Sequence, residues 1–299
     1  MKRGILLFVI IIFLIAASGC NKQTYAAKDA AINEVDLKQA ETNKDVAINE
    51  IDSKQTDIVK DVEIHGIDLK DFFVDYKGCF IIYDENESRY SIYNESQVDE
   101  RLSPCSTFKI PNALIGLETG VIQGKDYVYQ WDGKMNPIDS WNKNHTLTTA
   151  ITNSVVWYFQ KLAQNVGEDR MQEYLDKIDY GNNDISGGIT KFWLGSTLKV
   201  SAREQVEFLI NLYHDKLPFD KENMRIVREI MILESTDGYV FSGKTGTADK
   251  GLGWFVGTIG KGDNIYYFAT NIVGGNDATG AKAKEITKEI LKYLKIYEN

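Results

Sequence analysis

The pattern of apolar and polar positions separates a short apolar segment from the rest of the chain. An unbroken apolar run from Ile5 to Ala17 follows two cations, Lys2 and Arg3. The run is too short to cross a bilayer as a helix, and its charge order is that of an export signal. Residues 1–19 are therefore predicted to be a signal peptide that takes no part in the fold.

The residues that follow the apolar run indicate how the chain is processed. Ala17-Ser18-Gly19-Cys20 resembles the lipobox of bacterial lipoproteins, in which the cysteine is lipidated and becomes the new N-terminus. The alternative is an ordinary signal peptide with an incidental cysteine, because every export cleavage site requires small residues. Both interpretations place the mature chain outside the cytoplasm. Lipidation of Cys20 would anchor the chain to the cell membrane, from which part of the protein could be released.

Residues 20–62 have the pattern of a solvated tether. Residues 29–44 and 45–60 form a tandem repeat without glycine, proline or aromatic residues. Such a stretch is compatible with helix and is poor in core-forming side chains. A partner-binding coiled coil is the alternative, but the repeat turns its apolar pairs to nearly opposite sides of a helix, so that it offers no continuous seam.

Residues 63–299 have the pattern of a folded domain. The predicted elements are strands at Gly78–Tyr83 and Arg89–Asn94, helices at Ser106–Thr119, Leu147–Val166 and Ala202–His214, a meander over Gly251–Gly260 and Asn264–Val273, and a last helix at Thr279–Ile296. Strands at both ends, with helices between and after them, predict an α+β domain in which N-terminal and C-terminal strands share one sheet.

Composition narrows the choice of partners. The chain of 299 residues is 43% hydrophobic and 26% charged, with a formal net charge of −9. No basic block is long enough to follow a phosphate backbone, so a nucleic-acid partner is not expected. Three histidines and three cysteines, none in a paired metal-ligand spacing, argue against a zinc site.

The first candidate for chemistry is the pattern S-x-x-K, which places a hydroxyl and an amine on one face of a helix. The pattern occurs at Ser106/Lys109, Ser140/Lys143 and Ser196/Lys199. Only Ser106 opens a largely apolar helix, where its hydroxyl would lie beside unpaired backbone N–H groups and Lys109 would point inward. The alternative is a helix cap with a lysine that extends to solvent, and Pro111 is expected to kink the helix.

The second candidate is Lys244-Thr245-Gly246, which precedes a glycine-rich turn and an apolar strand. An edge strand with lysine and threonine can hold an anionic carboxylate, and glycine leaves the approach open. Together with S-x-x-K, it suggests acyl transfer on an amide that carries a carboxylate. A hairpin with an incidental lysine is the alternative.

Five motifs in order and spacing resemble those of the class D (oxacillinase-type) serine β-lactamases. They are Ser106-Thr107-Phe108-Lys109, Ser154-Val155-Val156, Tyr180-Gly181-Asn182, Phe192-Trp193-Leu194 and Lys244-Thr245-Gly246. The resemblance covers about residues 72 to 292 and implies the β-lactamase/transpeptidase fold, with a helical subdomain beside an antiparallel sheet. It implies hydrolysis of penicillin-type antibiotics, and thereby antibiotic resistance.

The resemblance also implies catalytic roles. In that family the lysine of S-x-x-K takes up carbon dioxide, supplied as bicarbonate, and becomes an anionic N-carboxylated base. Ser106 is then expected to attack the lactam carbonyl, with modified Lys109 as general base for acylation and deacylation. Ser154 and Lys244 would relay a proton to the leaving nitrogen, and backbone N–H groups of Ser106 and Thr247 would hold the oxyanion.

The remaining expected site residues surround this base and the substrate. Phe108, Val156 and Leu194 would form apolar walls, and the Trp193 indole would donate a hydrogen bond to the carbamate; plain core packing is the alternative for Trp193. Thr245, Gly246 and Thr247 would bind the substrate. No metal is implied. Tyr180-Gly181-Asn182 is given no catalytic role.

Two departures from the family pattern stay open at this stage. The family commonly has an arginine before the last helix for the substrate carboxylate, whereas this chain offers Lys282 or Lys284. Lysine lacks the bidentate fork of arginine. Cys105, directly before Ser106, either pairs with Cys79 in a disulfide or remains a buried thiol.

Two other functions compete with hydrolysis. A β-lactam sensor would use the same pocket for acylation without turnover, but sensors of this family carry membrane helices and a metalloprotease segment ahead of the domain, where this chain has a signal and a tether. A peptidoglycan transpeptidase or carboxypeptidase is disfavoured by Ser154-Val155-Val156 and by Trp193.

Overall fold

The structure, a computed structural model, describes residues 63–248, 251–275 and 277–297, so the predicted signal peptide and tether lie outside the described residues. The strands are β1 (Glu63–Gly66), β2 (Lys77–Asp84), β3 (Arg89–Tyr93), β4 (Val128–Tyr129), β5 (His145–Thr146), β6 (Ile232–Ser235), β7 (Val240–Ala248), β8 (Leu252–Lys261) and β9 (Asn264–Val273). The α-helices are α1 (Glu95–Val98), α2 (Lys109–Glu118), α3 (Leu147–Thr152), α4 (Val156–Val166), α5 (Glu168–Lys177), α6 (Ala202–Tyr213), α7 (Lys221–Ile230) and α8 (Gly280–Tyr293).

One seven-stranded sheet gathers strands from both ends of the domain, in the order β1-β3-β2-β9-β8-β7-β6. This arrangement confirms the predicted α+β class. All neighbours in the sheet are antiparallel except β1 and β3, which run parallel. The sheet is therefore mixed rather than antiparallel throughout. A parallel pair is possible here because β2 lies between β1 and β3 in the sequence, so that no tight hairpin has to join the two.

The sheet separates two apolar cores, since successive side chains of a strand point to opposite faces. In β8, Trp254 and Val256 belong to the larger cluster, which they share with α2, α4 and α6. Phe255 belongs to the smaller cluster, in which Ile286 and Ile290 of α8 cover the opposite face. The helical subdomain thus lies on one face of the sheet and the last helix on the other.

The helix predicted from Ser106 to Thr119 has two parts. A 3-10 turn, Cys105–Phe108, leads into α2 at Lys109. Pro111 falls in the first turn of α2, where backbone N–H groups have no intrahelical partner. The expected kink within one helix is therefore replaced by a change of helix type ahead of the proline.

The helix predicted from Leu147 to Val166 is interrupted. It divides into α3 and α4, and Ser154 between them has a left-handed backbone with a φ of 54°. The interruption brings Ser154 to the end of one helix and the start of the next. Among the described residues, no helix has the length and apolar character needed to cross a membrane.

We predict that Gly257→Ala in β8 destabilises the fold by about 1–3 kcal/mol through overpacking. A Cβ at Gly257 would lie 2.1 Å from the Ser242 carbonyl oxygen of the neighbouring strand, whereas a Cβ at Gly260 would meet nothing within 4 Å. Gly260→Ala in the same strand is the matched control and is expected to change stability by less than about 1 kcal/mol. Urea denaturation measures both, and equal effects of the two changes would contradict this packing argument.

Candidate active site

Ser106 and Lys109 form a close pair at the start of α2. Lys109 Nζ lies 2.5 Å from Ser106 Oγ, within hydrogen-bond distance. The Lys109 side chain is 0% exposed, and burial, together with the charge of Lys244, holds the pKa of its amine well below the ordinary value. A neutral amine at this distance is able to accept the hydroxyl proton. The predicted inward position of Lys109 is confirmed.

Aromatic side chains exclude water from the Lys109 amine. Its Nζ lies 5.6 Å from the centre of the Phe159 ring, and the Phe108 ring stacks on Trp193 with centroids 5.4 Å apart. Trp193 is itself fully buried, yet its Nε1 has no hydrogen-bond partner among the residues that the structure describes. An unpaired buried donor is uncommon in native proteins.

A second serine and lysine meet across the helical subdomain and the sheet. Lys244 Nζ of β7 donates hydrogen bonds to Ser154 Oγ at 3.0 Å and to the Thr245 carbonyl oxygen at 2.9 Å. Burial lowers the pKa of Lys244 to about 7. Near neutral pH this amine is thus poised both to give and to take a proton.

The Lys244-Thr245-Gly246 segment lies at an open part of the sheet edge. β6 pairs with β7 over Val240–Ser242, and no other strand of the described residues covers the outer side of Lys244 to Thr247. A Cβ at Gly246 would lie 2.8 Å from the Pro104 carbonyl oxygen and 3.3 Å from Ser106 N. Glycine therefore allows the strand to lie directly against the backbone of the Ser106 turn.

The last helix is fixed to the same edge. Gly280 N, at the start of α8, donates a 2.9 Å hydrogen bond to Thr247 Oγ1. A Cβ at Gly280 would lie 2.8 Å from Thr245 Cβ. The first turn of α8 is thereby held beside the two threonines that the sequence assigns to the substrate.

A buried chain of hydrogen bonds supports the Ser106 turn from behind. The Tyr180 hydroxyl donates to Gln205 Oε1 at 3.0 Å, Gln205 Nε2 donates to Thr107 Oγ1 at 2.8 Å, and Thr107 Oγ1 donates to the Pro104 carbonyl oxygen at 2.8 Å. Tyr180, treated in the sequence as part of a turn, therefore positions the turn that carries the nucleophile.

Sequence reasoning missed Ser103. Its Oγ donates to the Trp193 carbonyl oxygen and accepts from Gly195 N, both at 3.0 Å, and its own carbonyl oxygen accepts from Trp254 Nε1 at 2.9 Å. Ser103 thus joins the Trp193 segment, the sheet and the Ser106 turn. A serine two residues before an apolar helix is too common a signal to have marked this role.

The remaining predicted residues lie either at the margin of this site or outside it. Val156 begins α4 and Leu194 follows Trp193, and both are half-buried. The other two S-x-x-K pairs are not assembled in this site, and Lys143 is exposed. Within the described residues no group of histidine, cysteine and carboxylate side chains could hold a metal ion.

The geometry answers the question of the disulfide, because Cys79 and Cys105 are both buried free thiols. Which lysine takes the place of the family's arginine stays a prediction. Lys282 forms an ion pair with Glu285 at 2.8 Å. Lys284 instead lines a small cavity with Lys244 and Thr245.

A hydroxyl held against a buried amine of lowered pKa, beside a second serine–lysine pair and an open strand edge, defines a serine acyl-transfer protein. Residues 78–292 match the family model of the penicillin binding protein transpeptidase domain. The probable β-lactamase YbxI of Bacillus subtilis is 46% identical over 224 residues, which are 74% of this chain and 82% of that protein. The chain belongs to the class D β-lactamases within this transpeptidase family.

Two solved structures support the assignment. The class D β-lactamase BAT-2 has 47% sequence identity and a TM-score of 0.75, with coverage of 78% of this chain and 98% of that chain. The C-terminal domain of the Bacillus licheniformis BlaR penicillin-receptor has 36% identity and a TM-score of 0.77, with coverage of 81% and 100%. The same fold therefore occurs in a β-lactamase and in a receptor.

Proposed function

We propose that this chain hydrolyses the amide bond of penicillin-type β-lactams through an acyl-enzyme on Ser106, and thereby confers antibiotic resistance. The observation that carries the proposal is the 2.5 Å contact between Ser106 Oγ and the fully buried Lys109 amine. The family and its β-lactamase relatives support the same reaction.

In the acylation step, N-carboxylated Lys109 removes the Ser106 proton while Ser106 Oγ bonds to the lactam carbonyl carbon. The carbon–nitrogen bond of the ring then breaks, and the leaving nitrogen takes a proton from Ser154, which Lys244 replaces. The 3.0 Å contact between Lys244 Nζ and Ser154 Oγ supports this relay. A pKa of about 7 for Lys244 suits a group that passes a proton near neutral pH.

Backbone N–H groups of Ser106 and Thr247 stabilise the oxyanion of the tetrahedral intermediate in this proposal. The close approach of Gly246 to Ser106 N supports the pairing, because it brings the two backbone segments together. The open edge at Thr245 to Thr247 leaves room for the substrate to lie along β7.

The pocket around Lys109 fits an N-carboxylated lysine. Carbon dioxide adds only to a neutral amine, and burial favours that form of Lys109. The unpartnered Trp193 Nε1 is a suitable donor for a carbamate oxygen. When formed, the carbamate supplies an anionic base for acylation and for the water that releases the product. Val156 and Leu194 would limit the access of that water.

We predict multiple turnover of a chromogenic β-lactam by the purified chain, followed well past one equivalent of product. Ser106→Ala is the control, and intact-mass measurement of this variant should show no acylated protein. The similarity to the BlaR penicillin-receptor domain makes a sensor the second candidate. A burst that stops at one equivalent, with stable acyl-enzyme, would contradict hydrolysis and favour the sensor.

We predict that degassing at acidic pH lowers the rate and that bicarbonate restores it. Protonation removes the neutral amine that captures carbon dioxide, so the carbamate is present above the lowered pKa of Lys109 and is lost as the pH falls through it. Nuclear magnetic resonance with ¹³C-bicarbonate should show a carbamate signal that Lys109→Ala abolishes and Trp193→Phe weakens. A rate that bicarbonate leaves unchanged would remove the carbamate from the mechanism.

We further propose that the chain is exported and anchored to the cell membrane through lipidated Cys20, with residues 21–62 as tether. The apolar run and the small residues before Cys20 support this proposal. Cys20→Ala should move the protein from the membrane fraction to the medium, as measured by fractionation and immunoblotting. Cys79→Ala is the control and should leave the distribution unchanged. Retention of the Cys20→Ala chain in the membrane fraction would contradict lipid anchoring.

A further inference from the structure

A groove lies beside α4 in the helical subdomain, and its lining shares no residue with the two catalytic serine–lysine pairs. Its volume of about 390 Å³ falls within the range of about 300–1,000 Å³ that is typical of ligand sites. Four lining residues lie on one face of α4, because they follow the helical spacing i, i+3, i+4 and i+7. They are Trp157, Gln160, Lys161 and Gln164.

The remaining lining residues make the groove polar without giving it a net charge. They are Gln130, Asp132, Asn165 and Thr190. Asp132 pairs with Lys134 at 3.2 Å. Lys161 Nζ lies 4.9 Å from the centre of the Tyr129 ring and has no carboxylate partner in the described part of the chain. With one anion and one cation in its lining, the groove suits a polar ligand that carries no net charge.

Two carboxamide side chains of α4 are fixed at one end. Gln160 Nε2 donates to the Thr190 carbonyl oxygen at 3.1 Å, and Asn165 Nδ2 donates to the Tyr129 hydroxyl at 2.9 Å. The oxygen of each of these amides has no hydrogen-bond donor among the described residues. A side chain that is already held in place loses little conformational entropy when it binds a ligand, so these oxygens are preorganised acceptors.

The other two carboxamides of the groove supply donors. Gln130 Oε1 accepts a 2.7 Å hydrogen bond from Asn144 Nδ2, which leaves the Gln130 amino group without an acceptor in residues 63–248, 251–275 and 277–297. Gln164 forms no hydrogen bond within the same residues. The groove therefore combines fixed acceptors with available donors, and a ligand rich in hydroxyl or amide groups can satisfy both.

Trp157 adds a carbon surface to this set of amides. Its side chain is half-buried, and its Nε1 donates to the Trp141 carbonyl oxygen at 2.9 Å, which fixes the indole in one orientation. Because its N–H is already bonded, the indole offers the groove only its aromatic carbon atoms. A pyranose ring has C–H groups on its faces and hydroxyls around its rim, so an indole and several carboxamides complement its two kinds of surface.

A groove of similar size beside α7 lacks this arrangement. Its volume is about 370 Å³, and its lining includes Gln123, Glu222 and Arg225. Arg225 pairs with Glu222 at 2.6 Å, and Gln123 Nε2 donates to the Gly120 carbonyl oxygen at 2.9 Å. The charged groups of that groove satisfy each other, whereas the carboxamides beside α4 keep donors and acceptors for a ligand.

We propose that the groove beside α4 binds a short saccharide without net charge. A peptide fits less well, since extended peptides are commonly held by main-chain hydrogen bonds along a strand edge. The backbone groups of α4 are used within the helix, so that this wall of the groove presents side chains alone. The site is independent of the proposed hydrolysis, because it uses none of the groups that act on the lactam.

The test follows the indole N–H signal of Trp157 by nuclear magnetic resonance, with Trp157→Phe to assign the signal. The purified chain is titrated with triacetylchitotriose and with cellotriose, two uncharged trisaccharides that differ in their acetamido groups. A final concentration of roughly 10 mM nearly saturates a site with a Kd of about 1 mM. A shift with either saccharide supports the site, and a higher affinity for triacetylchitotriose would show that the carboxamides also bind acetamido groups.

Gln164→Ala removes a side chain that has no partner in the described structure, so it should leave the melting temperature unchanged. We expect it to weaken saccharide affinity by roughly 3- to 10-fold, as for the loss of a hydrogen bond between uncharged groups. Gln123→Ala, in the groove beside α7, is the matched control and should leave this affinity unchanged.

The possible outcomes decide between a saccharide and other ligands. An unchanged Trp157 signal with both saccharides, or equal affinities of the wild type and Gln164→Ala, would overturn the proposal. A shift with N-acetyl-trialanine amide and with neither saccharide would overturn it as well and assign the groove to peptides. None of these readouts involves Ser106, so a failure here leaves the test of hydrolysis unaffected.

Discussion

The site depends on one buried amine. Removal from water disfavours the charged form of a lysine. The free-energy cost of burying an unpaired ammonium is far larger than the cost of burying a neutral amine. Burial and the charge of Lys244 therefore lower the pKa of Lys109 well below its ordinary value. The aromatic rings at Phe108 and Phe159, and the close contact between β7 and the Ser106 turn, serve to keep water away from it.

The two buried lysines differ because their surroundings differ. Lys244 donates to Ser154 Oγ and to a carbonyl oxygen, whereas Lys109 forms a hydrogen bond with the Ser106 hydroxyl among apolar side chains. Each ammonium would also disfavour the other, and the charge of Lys244 does lower the pKa of Lys109. The site thus contains two lysine amines whose pKa values are both lowered, and the pKa of Lys244 lies at about 7.

The sequence predicted the α+β sheet and the inward Lys109 because both follow from local pattern. The apolar residues around Lys109 leave that side chain no exposed face, and the last two strands are nearly continuous apolar runs. The interruption at Ser154 and the parallel pairing of β1 were missed, since each depends on tertiary contacts rather than on local propensity. α5 was also missed, because it buries only Met171 and Leu175 and has no apolar stripe to recognise. The orientation of Lys284 required the register of α8 on the sheet.

Backbone strain accompanies the catalytic geometry. Cys105, directly before the nucleophile, has a φ of 51°, and Ser154 has a φ of 54°. Neither is glycine, so each left-handed conformation costs on the order of 1–2 kcal/mol. Such strain persists only where surrounding contacts impose it, and Ser103, Thr107 and Gln205 supply those contacts around the Ser106 turn. The packing of the two cores offsets the cost of this strain. The strained backbone at Cys105 and Ser154 places the hydroxyls of Ser106 and Ser154 where regular helices would not place them.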